Sequence, residues 1–177
     1  MSAILAAMPT DEQLTFADHV GRYFMREQHV PPVAGRLLGY LAVCEPAAQT
    51  INDLCEALLA SRSAITNAVK ALETMRQVRR TRTAGERMDR VRIDLSTPQS
   101  MGLDVTEYEE LRDLTREGLE VLRNTPAERR AVLLETAAFA DFVIEQVVRM
   151  RQEWEARRRA LVAAGELPER PAGGGRP

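Results

Sequence analysis

Residues 50–72 have the sequence TINDLCEALLASRSAITNAVKAL, in which two short helical patterns are separated by a tight turn. Thr50 and Asp53 are suited to begin a helix of about two and a half turns. Its apolar residues recur at helical spacing: Ile51, Leu54, Cys55 and Leu58. Ser61 is suited to cap a second helix that ends near Met75. The buried side of that helix carries Ile65, Val69 and Leu72. The pattern predicts a helix-turn-helix.

The opposite face of the second helix carries side chains that can bond to bases or phosphates, and none of them is acidic. These residues are Arg62, Ser63, Thr66, Asn67 and Lys70. Because arginine pairs with guanine and asparagine with adenine through two hydrogen bonds, Arg62 and Asn67 are the candidates for base recognition. Ser63, Thr66 and Lys70 are the candidates for phosphate contacts. This face predicts binding to double-stranded DNA.

The period of the pattern changes after the second helix. Val91, Ile93 and Leu95 alternate with polar residues, as in a half-buried strand, and residues 78–83 can form its partner. Residues 84–89 between them are polar and contain Gly85, as a hairpin loop would. We expect this hairpin to be a wing whose arginines lie against DNA. Those arginines are Arg80, Arg82, Arg87 and Arg90, with Arg79 and Arg92 beside them.

Charge is unevenly distributed along the chain. The whole protein has a net charge of −2, whereas residues 62–92 carry nine basic and three acidic residues, a net charge of +6. Residues 97–123 have a net charge of −4. Because the whole chain is slightly acidic, any contact with nucleic acid must come from a local basic patch. A positive segment followed by a negative one is typical of a DNA-binding unit followed by a scaffold that repels DNA. The alternative interpretation is a solvated arginine-rich face without a partner.

Further helical patterns flank this region, and the fold class predicted is mainly α with a small β-hairpin wing. We expect helices over residues 10–28, 33–44, 98–124 and for about thirty residues from 126. Gly102 and Val105 interrupt the first turns of the helix predicted after Pro98. Four segments follow from this: an N-terminal helix contributing to dimerisation (1–30), a winged helix-turn-helix (31–96), a helical dimerisation domain (97–164) and a disordered tail (165–177).

The last predicted helix has a long, narrow apolar stripe, which one helix cannot bury alone. Packing against the first helix, the helix at residues 108–122 and a second copy of the chain would bury it; the alternative is a bundle within one chain. A homodimer would also place two recognition helices about 34 Å apart, in successive major grooves. The residues expected at the dimer interface are Leu14, Val20, Phe24, Leu119, Leu122, Phe139, Phe142, Val143, Val147, Met150 and Trp154.

Composition and motifs argue against several other classes of protein. The 177 residues are 45% hydrophobic, enough for a folded core. The apolar start lacks a basic region and no run of about 18 apolar residues occurs, so we expect a cytoplasmic protein without membrane association. Cys44, Cys55, His19 and His29 are too dispersed to predict a metal site, a cofactor or a disulfide. We find no nucleophile with a base and no phosphate loop, so an enzyme is not expected.

Several stretches resemble the winged-helix regulators of the GbsR/MarR type. They are residues 32–41 (PVAGRLLGYL), 54–58 (LCEAL), 60–63 (ASRS), 71–73 (ALE) and 114–119 (LTREGL). The resemblance extends from Pro32 to about Arg159. Where such regulators often carry a Gly-Asp-Arg-Arg wing tip, this chain has Gly85-Glu86-Arg87-Met88-Asp89-Arg90. Arginines still follow the acid, so Arg87 and Arg90 remain the candidates for the groove.

The resemblance implies a triangular homodimer with interleaved terminal helices and a winged domain at each lower corner. It also implies a repressor that a small-molecule effector releases by binding near the junction of the two parts. Tyr23, Tyr40 and Tyr108 would lie near that junction and could line an effector pocket. The effector, the operator sequence and the regulated genes have no signature in the chain.

Two alternatives remain open from the residues. A helical protein-interaction adaptor could retain a winged helix that no longer binds DNA. Cys44 and Cys55 could sense redox state, although both lie on apolar faces, where buried and unreactive thiols are more common.

Overall fold

The computed structural model describes residues 8–28, 30–82, 88–94, 97 and 99–169. The chain divides into two compact units between Met101 and Gly102, close to the expected boundary at residues 96 and 97. We call residues 1–101 the winged unit and residues 102–177 the helical unit. The winged unit contains α1 (Asp11–Gln28), α2 (Pro32–Val43), β1 (Gln49–Thr50), α3 (Ile51–Leu58), α4 (Arg62–Thr74), β2 (Val78–Thr81), β3 (Arg90–Ile93) and a 3-10 turn (Gln99–Met101). The helical unit contains α5 (Thr106–Val121) and α6 (Ala127–Ala163).

Helices α1 and α2 pack closely because small residues face each other. A Cβ on Gly35 would lie 2.8 Å from the Cα of Gly21, and a Cβ on Gly39 would lie 2.9 Å from the Cα of Ala17. Real Cβ atoms do not approach backbone this closely, so only glycine allows this separation at Gly35 and Gly39. The sequence predicted both helices but not their contact, since small residues carry no hydrophobic periodicity.

The predicted helix-turn-helix is confirmed together with its caps. The Thr50 hydroxyl accepts a hydrogen bond from the Asp53 amide at 3.1 Å, and the Asp53 carboxylate accepts one from the Thr50 amide at 2.9 Å. The Ser61 hydroxyl accepts one from the Ala64 amide at 3.2 Å. Leu59 ends α3 in the left-handed region, with φ of 49°. These caps satisfy amides that a helix cannot pair internally, and so they determine where α3 and α4 begin.

The wing belongs to a three-stranded antiparallel sheet rather than to the two-stranded hairpin predicted. The strand order is β1-β3-β2, with Gln49 opposite Val91 and Val78 opposite Ile93. Strand β1 is only two residues long, so it has no alternating pattern that could predict it. Val78 and Val91 are buried and join the hydrophobic core. The sheet thereby attaches the wing to the helices, and the rest of that core comes from α1 to α4 and the residues between them.

The long helix predicted from Pro98 is wrong in its first turns. Helix α5 begins only at Thr106, after a 3-10 turn in which the Ser100 amide donates to the Thr97 hydroxyl at 3.2 Å. Gly102 has a φ of +81°, which a right-handed helix does not allow. The cap at Thr97 is therefore present, but the helix that it was expected to begin ends within one turn.

The helical unit is a hairpin of two unequal helices. Helix α6 has 37 residues, which corresponds to about 55 Å, and α5 has 16. Gly165 to Glu169, predicted as the start of a disordered tail, complete the end of α6: the Glu166 amide donates to the Leu161 carbonyl at 2.9 Å. The remainder of that predicted tail lies outside the described residues. Within the described chain, no helix is both long and apolar enough to span a lipid bilayer.

Candidate nucleic-acid interface

Helix α4 exposes the polar face that the sequence predicted. Ile65, Val69 and Leu72 are each 0% exposed and anchor one side of the helix in the core. The other side is solvent-exposed at Ser63, Asn67 and Lys70, which follow one another at intervals of four and three residues. A single stripe of donors and acceptors therefore runs along the helix, and we call it the recognition face.

The remaining two predicted residues of α4 flank the recognition face. Thr66 is half-buried, and Arg62 is exposed at the first position of the helix. Thr74, which sequence reasoning missed, continues the stripe one turn after Lys70; it is exposed, and its hydroxyl donates to the Lys70 carbonyl at 3.1 Å. Its four-residue spacing from Lys70 was the signal that could have identified it.

Asn52 is a second residue that sequence reasoning missed. It is exposed at the second position of α3, and its Oδ1 accepts a hydrogen bond from the Arg62 Nη1 at 2.5 Å. The contact joins the two helices of the helix-turn-helix across their first turns. The sequence could not reveal it, because ten positions separate the two residues and no periodicity connects them.

The arginines of the wing are mostly paired with acids. The Arg80 Nε lies 3.1 Å from Glu73 of α4, and the Arg82 Nε lies 2.7 Å from Asp89. Arg80 also shares its face of the sheet with Val78, the face that packs on the core. Arg80 is exposed and its charge is paired with a carboxylate of α4, so it connects the wing to that helix. Its contact with DNA stays a prediction.

The outer face of the sheet carries the other basic residues of the wing. Arg79 lies opposite Arg92, and Arg90 lies opposite both Thr81 and Thr50. The Arg79 Nε lies 3.4 Å from Asp94, and the Arg90 Nη1 donates to the Ala48 carbonyl at 3.3 Å. Arg87, expected at the wing tip, lies outside the described residues. Alternation along β2 and β3 thus separates the predicted wing arginines between two faces.

Arg36 of α2 forms hydrogen bonds to both α1 and α3. Its Nε donates to Asp18 of α1 at 2.5 Å, and its Nη1 donates to the Leu58 carbonyl at the end of α3 at 3.3 Å. A Cβ on Gly21 would lie 2.8 Å from the Arg36 Cγ, so the glycine provides the space in which the side chain crosses α1. Arg36 therefore holds the turn between α3 and α4 relative to α1.

The three α1 residues predicted for dimerisation lie against their own chain. Leu14 and Phe24 are half-buried against the core of the winged unit, and a Cβ on Gly39 would lie 2.8 Å from the Val20 Cβ. The tight packing of α1 on α2 occupies this side of the helix. The large apolar side chains that α1 exposes are instead Phe16, Tyr23 and Met25.

The remaining predicted dimerisation residues lie in the helical unit. Phe139, Phe142 and Met150 are each about half exposed. Half-buried positions are occupied by Leu119, Leu122, Val143, Val147 and Trp154. Among the described residues of this unit, only Thr115 and Ala140 are buried. The helical hairpin thus leaves several large apolar side chains about half exposed or more.

The three tyrosines predicted for an effector pocket have different environments. Tyr40 is 2% exposed in the core of the winged unit, where burial raises the pKa of its hydroxyl. Tyr23 is exposed on α1. Tyr108 is half-buried in the helical unit, with its ring 6.5 Å from that of Phe139. The burial of Tyr40 counts against its lining an open pocket, whereas Tyr23 and Tyr108 remain predictions.

The two cysteines differ in exposure. Cys44 is 6% exposed, and its thiol donates to the Pro46 carbonyl at 3.4 Å, whereas Cys55 is half-buried on α3. Burial is the main cause that raises the pKa of Cys44. His19 is exposed on α1, and His29 lies outside the described residues. Throughout the described segments, no three His, Cys, Asp or Glu side chains converge as metal ligands would.

We expect Cys55 to react with iodoacetamide faster than Cys44 in the folded protein at neutral pH. The thiolate is the reactive form, and the raised pKa of Cys44 keeps its thiol protonated until the pH is more alkaline than an ordinary cysteine requires. Mass spectrometry of timed samples from wild type, Cys44→Ser and Cys55→Ser measures the two rates. Faster labelling of Cys44 would contradict its burial and would revive the redox-sensing alternative.

Known proteins share both the sequence and the fold. A family model described as MmpR5-like MarR family transcriptional regulator matches residues 98–157. The HTH-type transcriptional regulator MmpR5 of Mycobacterium tuberculosis (strain ATCC 25618 / H37Rv) is 32% identical over 126 residues, which cover 69% of this chain and 74% of that protein. A crystal structure of a transcriptional regulator superposes with a TM-score of 0.71 and 27% identity, covering 82% of this chain and 99% of that chain.

The structural match agrees with the winged helix-turn-helix fold described above. The matches together confirm the MarR-type part of the predicted resemblance, while the GbsR-type part stays a prediction. The chain belongs to the MmpR5-like MarR family of transcriptional regulators.

Proposed function

We propose that this regulator binds double-stranded DNA as a homodimer, with α4 in the major groove and the wing beside it. The observation that carries the proposal is the recognition face: Ser63, Asn67 and Lys70 are exposed in one line, and no acidic side chain stands among them. Such a face can pair with base edges and phosphates without repelling the DNA. The wing contributes Arg82, Arg90 and Arg87 near the backbone, and Arg80 holds it against α4.

The exposed apolar side chains of the helical unit support the proposed homodimer. Val132, Phe139, Phe142 and Met150 are each about half exposed or more, and they are spaced by seven, three and eight residues along α6. These intervals place them along one side of the helix. A hairpin with two buried residues among those described cannot offset the entropy of folding with its own core. Packing against a second copy would supply the missing burial.

We further propose a cytoplasmic repressor that a small-molecule effector releases from a pseudo-palindromic operator. The resemblance to MarR-type regulators supports this direction of control, and two identical subunits favour an operator with two related half-sites. The competing function is that of an adaptor whose winged helix binds a protein instead of DNA. The recognition face favours DNA, since its exposed residues are all polar or basic.

A gel-shift titration against the region upstream of the regulator's own gene tests the proposal. We expect retention that exceeds retention of a scrambled duplex, with an affinity that falls steeply as salt increases because phosphate contacts release counterions. Absence of a shift at low salt would favour the adaptor. A shift of equal strength on both duplexes would contradict sequence-specific regulation.

Phe142→Glu should dissociate the homodimer. A carboxylate at the centre of the α6 stripe would be buried against the partner without a counter-charge, which costs several kcal/mol. Sedimentation velocity of the full chain should show the mass of one subunit where wild type shows two. Gln152→Glu adds the same charge at an exposed position on α6 and should leave the mass unchanged.

The milder Phe142→Ala keeps the prediction testable if the glutamate variant does not fold. It should weaken self-association by about tenfold or more, since a truncated interface anchor costs about 2 kcal/mol. A dimer of unaltered strength in both variants would place the interface elsewhere.

A further inference from the structure

Asn52 and Arg62 form a polar pair at the start of the helix-turn-helix that the recognition face does not include. We propose that Asn52 is a positioning residue that holds the Arg62 guanidinium as a clamp for one DNA phosphate. The inference rests on the proposed DNA binding and adds a contact from α3. Its basis is the hydrogen bond of 2.5 Å between the Arg62 Nη1 and the Asn52 Oδ1, both on exposed side chains.

Asn52 orients the guanidinium of Arg62 without neutralising its positive charge. Arg79, Arg80 and Arg82 each lie within 3.4 Å of a carboxylate, so much of their charge is already compensated. Arg62 bonds instead to a neutral amide, and no ion pair joins it to any acid among the described residues. It therefore keeps a full positive charge in one orientation, which lowers the entropy lost when it binds an anion.

The hydrogen-bond donors and acceptors that Asn52 and Arg62 still have free restrict which groups the pair can bind. The Asn52 Oδ1 already accepts from Arg62 and keeps one lone pair, whereas the amide group offers two N–H donors, so donors outnumber acceptors on its free side. Arg62 keeps the edge formed by Nε and Nη2, with two parallel donors. The pair thus presents mainly donors, which favours a ligand with adjacent acceptors.

Two groups on DNA have adjacent acceptors, a phosphate and the major-groove edge of guanine. The position of the pair favours the phosphate. Ser63, Asn67 and Lys70 form the middle of the exposed side of α4, whereas Arg62 lies at its flank, toward α3. In a helix-turn-helix the second helix reads the bases with its N-terminal residues while the first crosses the backbone. Arg62 begins the second helix, but its bond to Asn52 draws the guanidinium toward α3, the helix that crosses the backbone. This reassigns Arg62 from base recognition to phosphate contact.

Fluorescence anisotropy of the full-length protein with two labelled duplexes tests the clamp: the region upstream of its own gene and a scrambled version. We expect Arg62→Ala to weaken binding to both by the same factor, about tenfold, and to reduce the salt slope by about 0.9 for each phosphate that is no longer neutralised. Asn52→Ala should weaken both by about two- to tenfold. In the double variant, removing Asn52 should add nothing to the loss from Arg62→Ala.

Asn52→Asp separates positioning from a structural role. The aspartate keeps the acceptor and should not lower the melting temperature, yet it neutralises Arg62 and should weaken DNA binding more than Asn52→Ala does. Arg22→Ala, which removes an exposed charge from α1, and Asn124→Ala are matched controls and should leave affinity unchanged.

The outcomes distinguish the clamp from the function on which it rests. Failure of wild type to bind either duplex would overturn the proposed function and the clamp with it. If wild type binds DNA and Asn52→Ala binds with the same affinity, the clamp alone is overturned. The same conclusion holds if the losses of affinity from the two single variants add up in the double variant. A loss on Arg62→Ala confined to the upstream duplex would overturn the phosphate assignment in favour of guanine.

Discussion

Gly35→Ala is expected to lower the melting temperature of the winged unit by about 8–16 °C. The new Cβ would lie 2.8 Å from the Gly21 Cα and 3.2 Å from the Gly21 carbonyl oxygen, and these backbone atoms cannot rotate away. Alanine gains about 1 kcal/mol of helix propensity over glycine. Overpacking of a tight contact costs about 1–3 kcal/mol, more where backbone must move. In a unit of about 100 residues, a net loss of about 2 kcal/mol in the free energy of unfolding corresponds to a fall of about 8–16 °C in the melting temperature.

Gly118→Ala is the matched control for this prediction. The same methyl group would there meet only the side chain of Leu133, whose Cδ1 lies at 2.9 Å and can move by a change of rotamer. The gain in helix propensity is then mostly retained, and we expect an unchanged or higher melting temperature. Thermal unfolding followed by far-UV circular dichroism measures both variants. Equal stability of Gly35→Ala and wild type would show that α1 and α2 are farther apart than described.

Asn67→Ala is expected to reduce the preference for the upstream duplex over a scrambled one by about tenfold or more. An asparagine paired with adenine through two hydrogen bonds supplies about 1–3 kcal/mol of discrimination, and a homodimer presents two copies. Asn67 is exposed in the middle of the polar stripe of α4, where a base edge can reach it. Anisotropy titrations with the two duplexes measure the ratio of affinities.

Lys70→Ala is the control for Asn67→Ala. A phosphate contact has no sequence preference, so its removal should weaken binding to both duplexes by one factor and lower the salt slope, while the ratio stays constant. Melting temperatures should be unaltered in both variants because both side chains are exposed. If Asn67→Ala changes neither affinity nor selectivity, the recognition face has been assigned to the wrong residues.

Local patterns were sufficient for the helix-turn-helix. The caps at Thr50 and Ser61 form the predicted bonds, because an N-cap and the amides that it satisfies are at most three residues apart. The apolar face of α4 was predicted for the same reason, since Ile65, Val69 and Leu72 recur with the helical period. The similar proteins agree with this part of the fold.

Predictions that depended on partners distant in sequence were less complete. Arg80, expected against DNA, is paired with Glu73, and Leu14 and Phe24, expected at a dimer interface, pack on the core of their own chain. The DNA and dimer contacts of these residues stay predictions. Asn52, Thr74 and strand β1 were not predicted at all. Most of these features depend on contacts between residues that are distant in sequence. Hydrophobic periodicity reports only on neighbours within one helix or strand.

The order of residues was enough to specify the capped helices, the polar face of α4 and the basic segment from Arg62 to Arg92, because each depends on neighbours within one or two turns. Tertiary structure decided which arginines keep their charge uncompensated and which side of α1 remains exposed. The reason is that an ion pair between an arginine and a carboxylate forms only after distant segments of the chain have packed together. The same holds for the contact between a glycine and the helix that faces it.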